Sequence, residues 1–273
     1  MSDNSSDTVR EDLEYYSFKL LEAIPGLVHA FTTRRGGISE AEYKSLNMAF
    51  HVGDSEQAVL ENRSRVCSKL GLNPVHLVAG QQTHDDLVAV VGLEHRGAGA
   101  LSYASSLPGT DALITNQPGV PLSSYYADCV PLFIVDPVKS VIGLAHAGWR
   151  GTVLRIAEKT VKEMRRVFGS RPVECLAVVG PSIGPCCYEV DSRVTGQLQA
   201  SFPYWSELVE ATLPGKYRFD LWQANYRVFL DAGLRPENIY VSKLCTGCNT
   251  DIFYSYRAEN GHTGRMASLM MLR

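Results

Sequence analysis

The chain has 273 residues, 45% of them hydrophobic, and a formal net charge of −3 at neutral pH. That is enough apolar material for a sizeable core, and it gives no electrostatic reason to expect nucleic acid or an anionic membrane as a partner. No run approaches the roughly 18 apolar residues of a membrane span, the polar start MSDNSSDTVRED lacks a signal peptide's apolar segment, and an odd count of seven cysteines does not read as a secreted disulfide framework, so a cytoplasmic chain with reduced thiols is expected.

Residues 1–12 are polar and are expected to be frayed, ahead of one domain over 13–273. The run 27–33 predicts a strand entering Arg34-Arg35-Gly36-Gly37, a basic glycine turn whose amides could approach an anion; a plain exposed turn fits the same residues. Over 55–70, apolar Ala58, Val59, Val66 and Leu70 predict an amphipathic helix ended by Gly71, with Arg63 and Arg65 as solvated helix arginines. Runs at 75–79 and 87–91 read as strands and flank GQQTHDD, which places Gln82 and His84 on a loop, where a lone histidine is most simply a polar loop residue. The stretch 94–109 reads as irregular, and 111–115 as a strand closed by Asn116-Gln117-Pro118-Gly119.

The stretch ADCVPLFIVDPVKSVIGLAHAGWRG, residues 127–151, organises the rest. Residues 130–135 and 141–145 read as two strands joined by a turn at 136–140, a hairpin. If the turn centres near 138, Cys129 lies opposite a residue within one or two of His146, so two metal-capable side chains meet at the open end. Pro131 cannot donate a ladder hydrogen bond and implies an edge position or a bulge.

Beyond the hairpin, Thr152 reads as the N-cap of a helix running to Phe168. The turn Gly148-Trp149-Arg150-Gly151 offers amides and a cation to phosphate, or simply lets strand and helix pack closely. A strand at 175–179 leads into GPSIGPCCYEVD, whose Cys186 and Cys187 are packing thiols or a second ligand source. Asp220 caps a helix to about Ala232, and a strand at 239–244 enters Cys245-Thr246-Gly247-Cys248, by itself weak evidence for zinc. The tail 253–271 reads as two strands joined at Asn260-Gly261. The helices are too few and the hairpins too many for a doubly wound parallel sheet, so an α+β fold with a mixed sheet core and flanking helices is expected.

A catalytic divalent metal wants three protein ligands and an open position, and His84, Cys129 and His146 fit that count, although the hairpin unites only two of them. GQQTH, DALIT, ADCVPL, HAGWRG, GPSIGPCCYEV and FYSYR…TGR, with FTTRRGGIS, SLNMAFHVGD and ENR nearer the start, resemble the family of YfiH-like proteins, also described as multicopper polyphenol oxidases or laccase-domain proteins. The likeness covers nearly all of the chain beyond its first 20 or so residues. It implies a purine nucleoside phosphorylase, a transferase that cleaves adenosine, inosine and methylthioadenosine with phosphate, with adenosine deaminase activity as a hydrolase reaction. It also implies zinc, or alternatively copper, on His84, Cys129 and His146. One departure is FYSYRAENGH, with Ala258 where members often carry a second basic residue.

For such chemistry Arg34, Arg150 and the turn amides are expected to hold phosphate, Asp111 and Asp128 to move protons or orient ligands, and Asn47 in SLNMAFHVGD to contact substrate. Two other enzyme readings stay open: a copper-dependent polyphenol oxidase, for which the seven histidines supply no His-x-His pair, and a hydrolase with Cys129 as nucleophile and His146 or His84 as base. A non-enzymatic thiol sensor built on Cys186, Cys187, Cys245 and Cys248 is the third alternative. Oligomeric state is not legible in the sequence.

Overall fold

The computed structural model describes residues 8–9 and 15–273. The expectation of a frayed terminus over 1–12 lies outside the described residues, apart from Thr8–Val9, which pair with Tyr16 and Ser17. In chain order the elements are β1 (Thr8–Val9), β2 (Tyr15–Ser17), α1 (Lys19–Glu22), β3 (Leu27–Thr32), α2 (Glu56–Leu70), β4 (Val78–Ala79), β5 (Val88–Val90), β6 (Ala112–Thr115), β7 (Leu122–Tyr126), β8 (Val130–Asp136), β9 (Val141–Ala147), α3 (Trp149–Val153), α4 (Ile156–Phe168), β10 (Leu176–Val179), β11 (Glu189–Asp191), α5 (Ser192–Ser201), β12 (Val209–Ala211), β13 (Lys216–Phe219), α6 (Leu221–Asp231), β14 (Ile239–Val241) and β15 (Met266–Leu272). Short 3₁₀ turns connect several of them.

Two six-stranded sheets carry the architecture, ordered β1-β2-β3-β15-β7-β4 and β14-β10-β8-β9-β6-β5, with a small β11-β13-β12 sheet beside them. Both large sheets mix directions: β4 runs parallel to β7, β5 to β6 and β10 to β14, and the other neighbours are antiparallel. This is the expected mixed α+β arrangement.

Alternation along the strands explains how the layers stack. Phe133 and Val135 of β8 and Ile142 and Leu144 of β9 pack against Phe31, Leu122, Tyr126 and Met270 of the other sheet, closing a core between the two. The opposite faces of the same strands, Leu132, Ile134 and Ala145, meet Ile156, Val161 and Met164 of α4 and Val228 and Phe229 of α6. On the far side, Val66, Cys67 and Leu70 of α2 cover Ala30, Tyr125 and Leu269. The order is helix, sheet, sheet, helices. Strands buried on both faces have no polar side to show, which is why β8 and β9 read as nearly continuous apolar runs. No helix among the described residues is long and apolar enough to cross a membrane.

Several sequence expectations need correction. Pro131 is not on an edge, since β8 lies between β10 and β9. It stands just outside the β10 ladder, which begins at Leu132, and its carbonyl accepts from Gly180 N at 2.9 Å. The missing N–H therefore leaves no partner unpaired. The helix after Gly148 starts at Trp149 rather than at Thr152 and breaks at Arg155, which is left-handed at φ +61°, before α4 resumes. Residues 74–76 form a 3₁₀ turn, so only Val78–Ala79 of the run 75–79 is strand, and FYSYR is a series of turns rather than a strand.

Arg63 is the largest reversal. It is 2% exposed, and its guanidinium donates to the carbonyls of Met48, Gly99 and Ala100 at 2.8, 2.7 and 2.9 Å while lying 4.2 and 4.6 Å from the ring centroids of Phe50 and Tyr125. Arg65 stays at the surface, paired with Glu61. Removing Arg63 leaves three carbonyls without their donor and opens a cavity. Arg63→Ala is expected to lower stability by about 3–5 kcal/mol, read as a fall in the urea midpoint. Arg63→Lys should recover less than half of that, because an ammonium cannot span the same fork. A midpoint unchanged in Arg63→Ala would remove the structural role.

Candidate metal site

The hairpin does bring its two predicted donors together. Pro131 pairs with His146, so Cys129, one residue before β8, comes opposite Gly148, two from His146. Parity finishes the placement. Positions 133 and 135 on one strand and 142 and 144 on the other face the layer between the sheets, and stepping by twos carries that face to Cys129 and His146. His146 sits with its ring 5.5 Å from that of Tyr126, and Cys129 packs against the same core.

The neighbouring strand supplies the link to His84. Ala112 of β6 pairs with Ala145, which puts Asp111 beside His146; the His146 amide donates to the Asp111 carbonyl at 2.8 Å. The Asp111 side chain is a hub. Its Oδ1 lies 2.8 Å from His146 Nδ1 and accepts from the His84 amide at 3.1 Å; its Oδ2 accepts from the Thr83 and Asp85 amides, both at 3.0 Å, and from the Thr83 hydroxyl at 3.2 Å. These bonds hold His84 in the left-handed region, at φ +62°. Gln82 fastens the loop to the other sheet, exchanging two hydrogen bonds with the Tyr125 backbone at 2.8 and 2.9 Å. Residues 80–87 thus cross from β4 in one sheet to β5 in the other, and His84 rides on that crossing.

The donor atoms of His84, Cys129 and His146 all lie within 4.8 Å of one another. A tetrahedral zinc with Zn–N near 2.0 Å and Zn–S near 2.3 Å separates its ligands by about 3.3–3.8 Å, so the three positions suit one ion. With Asp111 on Nδ1, His146 presents Nε2, the arrangement that fixes the tautomer of a metal-binding imidazole. Gly148 keeps the space open, because a Cβ there would fall 2.8 Å from His84 Cδ2 and 3.1 Å from Cys129 Sγ. Gly148→Ala must push two donors apart; about a 10–100-fold loss of zinc affinity with an unchanged circular-dichroism spectrum is expected in a chelator competition, and wild-type affinity would contradict it.

Charge in the cluster favours a thiolate. Burial would raise the Cys129 thiol, but the positive charge and hydrogen bond of His146, with His84 adding to them, hold it down to about 6. Burial would lower His146, and the Cys129 thiolate together with the Asp111 contact raises it to about 9. Burial also opposes ionisation of Asp111, yet His146 and the loop amides keep its carboxyl below the usual range. His146 is buried, Cys129 half-buried and His84 exposed, so the open side of the cluster faces water past His84.

The other predicted residues fall into two groups. Asp128, left-handed at φ +82°, accepts from the Thr246 hydroxyl at 2.6 Å and the Arg257 amide at 2.7 Å, which anchors the residue before Cys129. The Asn47 side chain accepts from the amides of Ala49 and Arg265 and donates to the Ala49 carbonyl and Asp54, so it is a strut. Arg34 is also committed elsewhere: its guanidinium donates to the carbonyls of Lys44 and Thr250 and pairs with Glu259 at 3.0 Å. Arg150 alone is exposed, on a cleft of about 440 Å³ that Trp149, Tyr188, Arg193, Lys216 and Arg257 also line.

Sequence reasoning missed Arg257, Arg265, Tyr188 and His51. Burial, and next the Cys129 charge, raises the Tyr188 hydroxyl, whereas burial lowers Arg265 against the opposing charge of Cys129. His51 keeps an exposed edge, yet the protein packed around its ring, and then the charges of Arg265, His146, Arg63 and His84, lower it to about 4. The two arginines stand in the FYSYR and TGR motifs, Tyr188 in GPSIGPCCYEV and His51 in SLNMAFHVGD, so the signal that marks them lies within those stretches rather than in any one spacing.

Comparison with known proteins gives the family of the chain. The family model described as multi-copper polyphenol oxidoreductase laccase matches residues 28–273. Purine nucleoside phosphorylase YlmD of Bacillus subtilis is 41% identical over 248 residues, 90% of this chain and 89% of the relative. Adenosine deaminase RL5, from an unknown prokaryotic organism, is 36% identical over 240 residues, 87% of this chain and 91% of the relative. The crystal structure of YlmD from Geobacillus stearothermophilus superposes with a TM-score of 0.93 at 38% identity, covering 98% of this chain and 100% of that one. On sequence and on structure alike, the chain belongs to the laccase-like family of YlmD and YfiH proteins.

Proposed function

We propose that the protein is a zinc-dependent purine nucleoside phosphorylase, converting adenosine, inosine and methylthioadenosine with phosphate into free base and ribose 1-phosphate or its methylthio analogue, with adenosine deamination as a side activity in the cytoplasm. The observation that carries this reading is the convergence of His84, Cys129 and His146 on one point, open to water on the His84 side. The relatives named purine nucleoside phosphorylase and adenosine deaminase support the substrate class. The soft, mixed N and S donor set suits zinc.

When bound, zinc supplies positive charge and Lewis acidity at the open face. The chain's own residues do the rest. Asp111 orients His146 and holds the turn that presents His84. Asp128 fixes the backbone entering Cys129. Arg150, with Arg257 and Lys216 on the same cleft, gathers the dianionic phosphate from the side next to Gly148. Phosphorolysis breaks the bond from C1′ to the purine nitrogen and forms one from C1′ to a phosphate oxygen, so holding phosphate close to the sugar removes much of the entropic barrier.

Incubating metal-replete protein with adenosine, with and without phosphate, tests this. Adenine and ribose 1-phosphate that depend on phosphate support phosphorolysis, inosine supports deamination, and absence of both products overturns the reading. Two observations favour rivals: the family description points to copper-dependent phenol oxidation, and the closeness of Cys129 to His146, which lowers the thiol and raises the imidazole, resembles the pairing of a cysteine hydrolase. A chelator separates them, since a hydrolase survives it, and phenol turnover on copper loading would revive the oxidase.

A further inference from the structure

A second group of metal-capable side chains lies outside the site just described. Cys186 and Cys187 are neighbours in one loop, Cys245 and Cys248 form a C-x-x-C in another, and the four sulfurs all lie within 4.8 Å of one another. Cys248 Sγ stands 3.3 Å from Cys186 Sγ and 3.4 Å from Cys187 Sγ. A disulfide needs about 2.05 Å, and four thiolates at 2.3 Å around a tetrahedral zinc lie about 3.8 Å apart. The observed spacings fit the second geometry and not the first.

The loops are tied together independently of the sulfurs. Ser182 and Cys245 form an isolated parallel bridge, with Ser182 N donating to Leu244 O and Thr246 N to Ser182 O, each at 3.1 Å. The Gly184 amide donates to Cys245 Sγ at 3.2 Å, as backbone amides do to metal thiolates, and the Asn249 side chain donates to the Cys245 carbonyl at 2.8 Å. Gly247 is a glycine for a reason: a Cβ there would stand 3.0 Å from Cys187 Cβ and 3.2 Å from its Sγ. Cys245 is buried while Cys186 and Cys248 reach the surface, so an ion can enter from solvent and finish enclosed.

We propose that Cys186, Cys187, Cys245 and Cys248 form a closed tetrathiolate site for one structural zinc ion. Four sulfur donors leave no position for a substrate, which separates this site in chemistry from the two-imidazole, one-thiolate cluster. Its effect reaches that cluster through the backbone. Ile183 N, in the first loop, donates to the Asp128 carbonyl at 2.9 Å, and Thr246, inside the C-x-x-C, donates to the Asp128 carboxylate. Clamping the loops thus steadies the residue that introduces Cys129. The inference does not depend on what reaction the first site performs.

The test uses full-length protein purified under reducing conditions, loaded with zinc and freed of excess, with metal content measured by mass spectrometry. The variant His84→Ala with Cys129→Ala, cleared at the first site, is expected to retain one equivalent of zinc. With Cys245→Ser and Cys248→Ser added, it is expected to lose that equivalent. Cobalt in the cleared variant should give the intense visible bands of a tetrahedral thiolate centre. Because the serine variants could unfold, wild-type protein supplies a second readout: zinc should shield Cys186, Cys187, Cys245 and Cys248, told apart from Cys129 of the first site by peptide mapping, from a maleimide until a strong chelator is added. The proposal is overturned if the cleared variant holds no zinc, if a folded serine variant keeps it, if the four thiols react equally fast with and without chelator, or if peptide mapping of the reduced preparation finds a disulfide from Cys248 to Cys186 or Cys187.

Discussion

Cys129→Ala is expected to leave a folded protein that retains almost no zinc at the first site and has lost at least about 10³ in kcat/KM for phosphorolysis, roughly 4 kcal/mol of transition-state stabilisation. Cys129 supplies the one anionic donor of the three, and the two imidazoles left behind offer neither its charge nor the third corner of the polyhedron. The same substitution should disturb folding little, because the thiol is half-buried at a strand end and its removal costs about 1 kcal/mol. Zinc stoichiometry, turnover with and without phosphate, and the urea midpoint measured on one preparation separate these effects. Zinc content at the first site equal to wild type, with activity within threefold, would sink the assignment.

Asp111→Asn should be nearly as damaging as Asp111→Ala, although asparagine has the same shape. Both carboxylate oxygens face donors: His84 N and His146 Nδ1 on one side, Thr83 N, Thr83 Oγ1 and Asp85 N on the other. Whichever oxygen becomes an amide, an N–H group then points at N–H groups. If the amide takes the Oδ1 side, His146 must also change tautomer and present a protonated Nε2 to the metal. The expected outcome is about a 100-fold weaker zinc site and a stability loss of about 3–5 kcal/mol, with faster hydrogen exchange at residues 83–85. Wild-type zinc affinity in Asp111→Asn would show that the carboxylate only caps the loop.

The part of this site written in the sequence was the part set by strand periodicity. A turn flanked by two apolar runs fixes a hairpin, and a hairpin fixes which residues share a face, so Cys129 and His146 could be paired from residue types alone. His84 could not, because its position is decided by Asp111, a carboxylate just ahead of a third strand that reaches back 27 residues. β7 escaped notice because LSSYY has serines in a buried strand, satisfied there by the Val78 carbonyl and the Tyr126 hydroxyl. FYSYR misled in the opposite sense: its aromatic run suggests a strand, but Glu259 accepts from Ser255 N and the Thr263 hydroxyl and folds the segment on itself. Arg63 could have been placed correctly, since it sits four residues after Val59 and three before Val66, on the buried stripe of α2.

The crossing that carries His84 has a mechanical consequence. Two donors are rooted in one sheet, whereas the third hangs from a strap stitched to both, through the bonds of Gln82 to Tyr125 of β7 and through Asp111, the residue before β6. Any slip of one sheet against the other must therefore tug one imidazole away from its two companions. Metal affinity becomes a caliper for the gap between the layers, and a conservative change deep in that gap, such as Phe133→Leu, should register as faster zinc release well before it registers as unfolding.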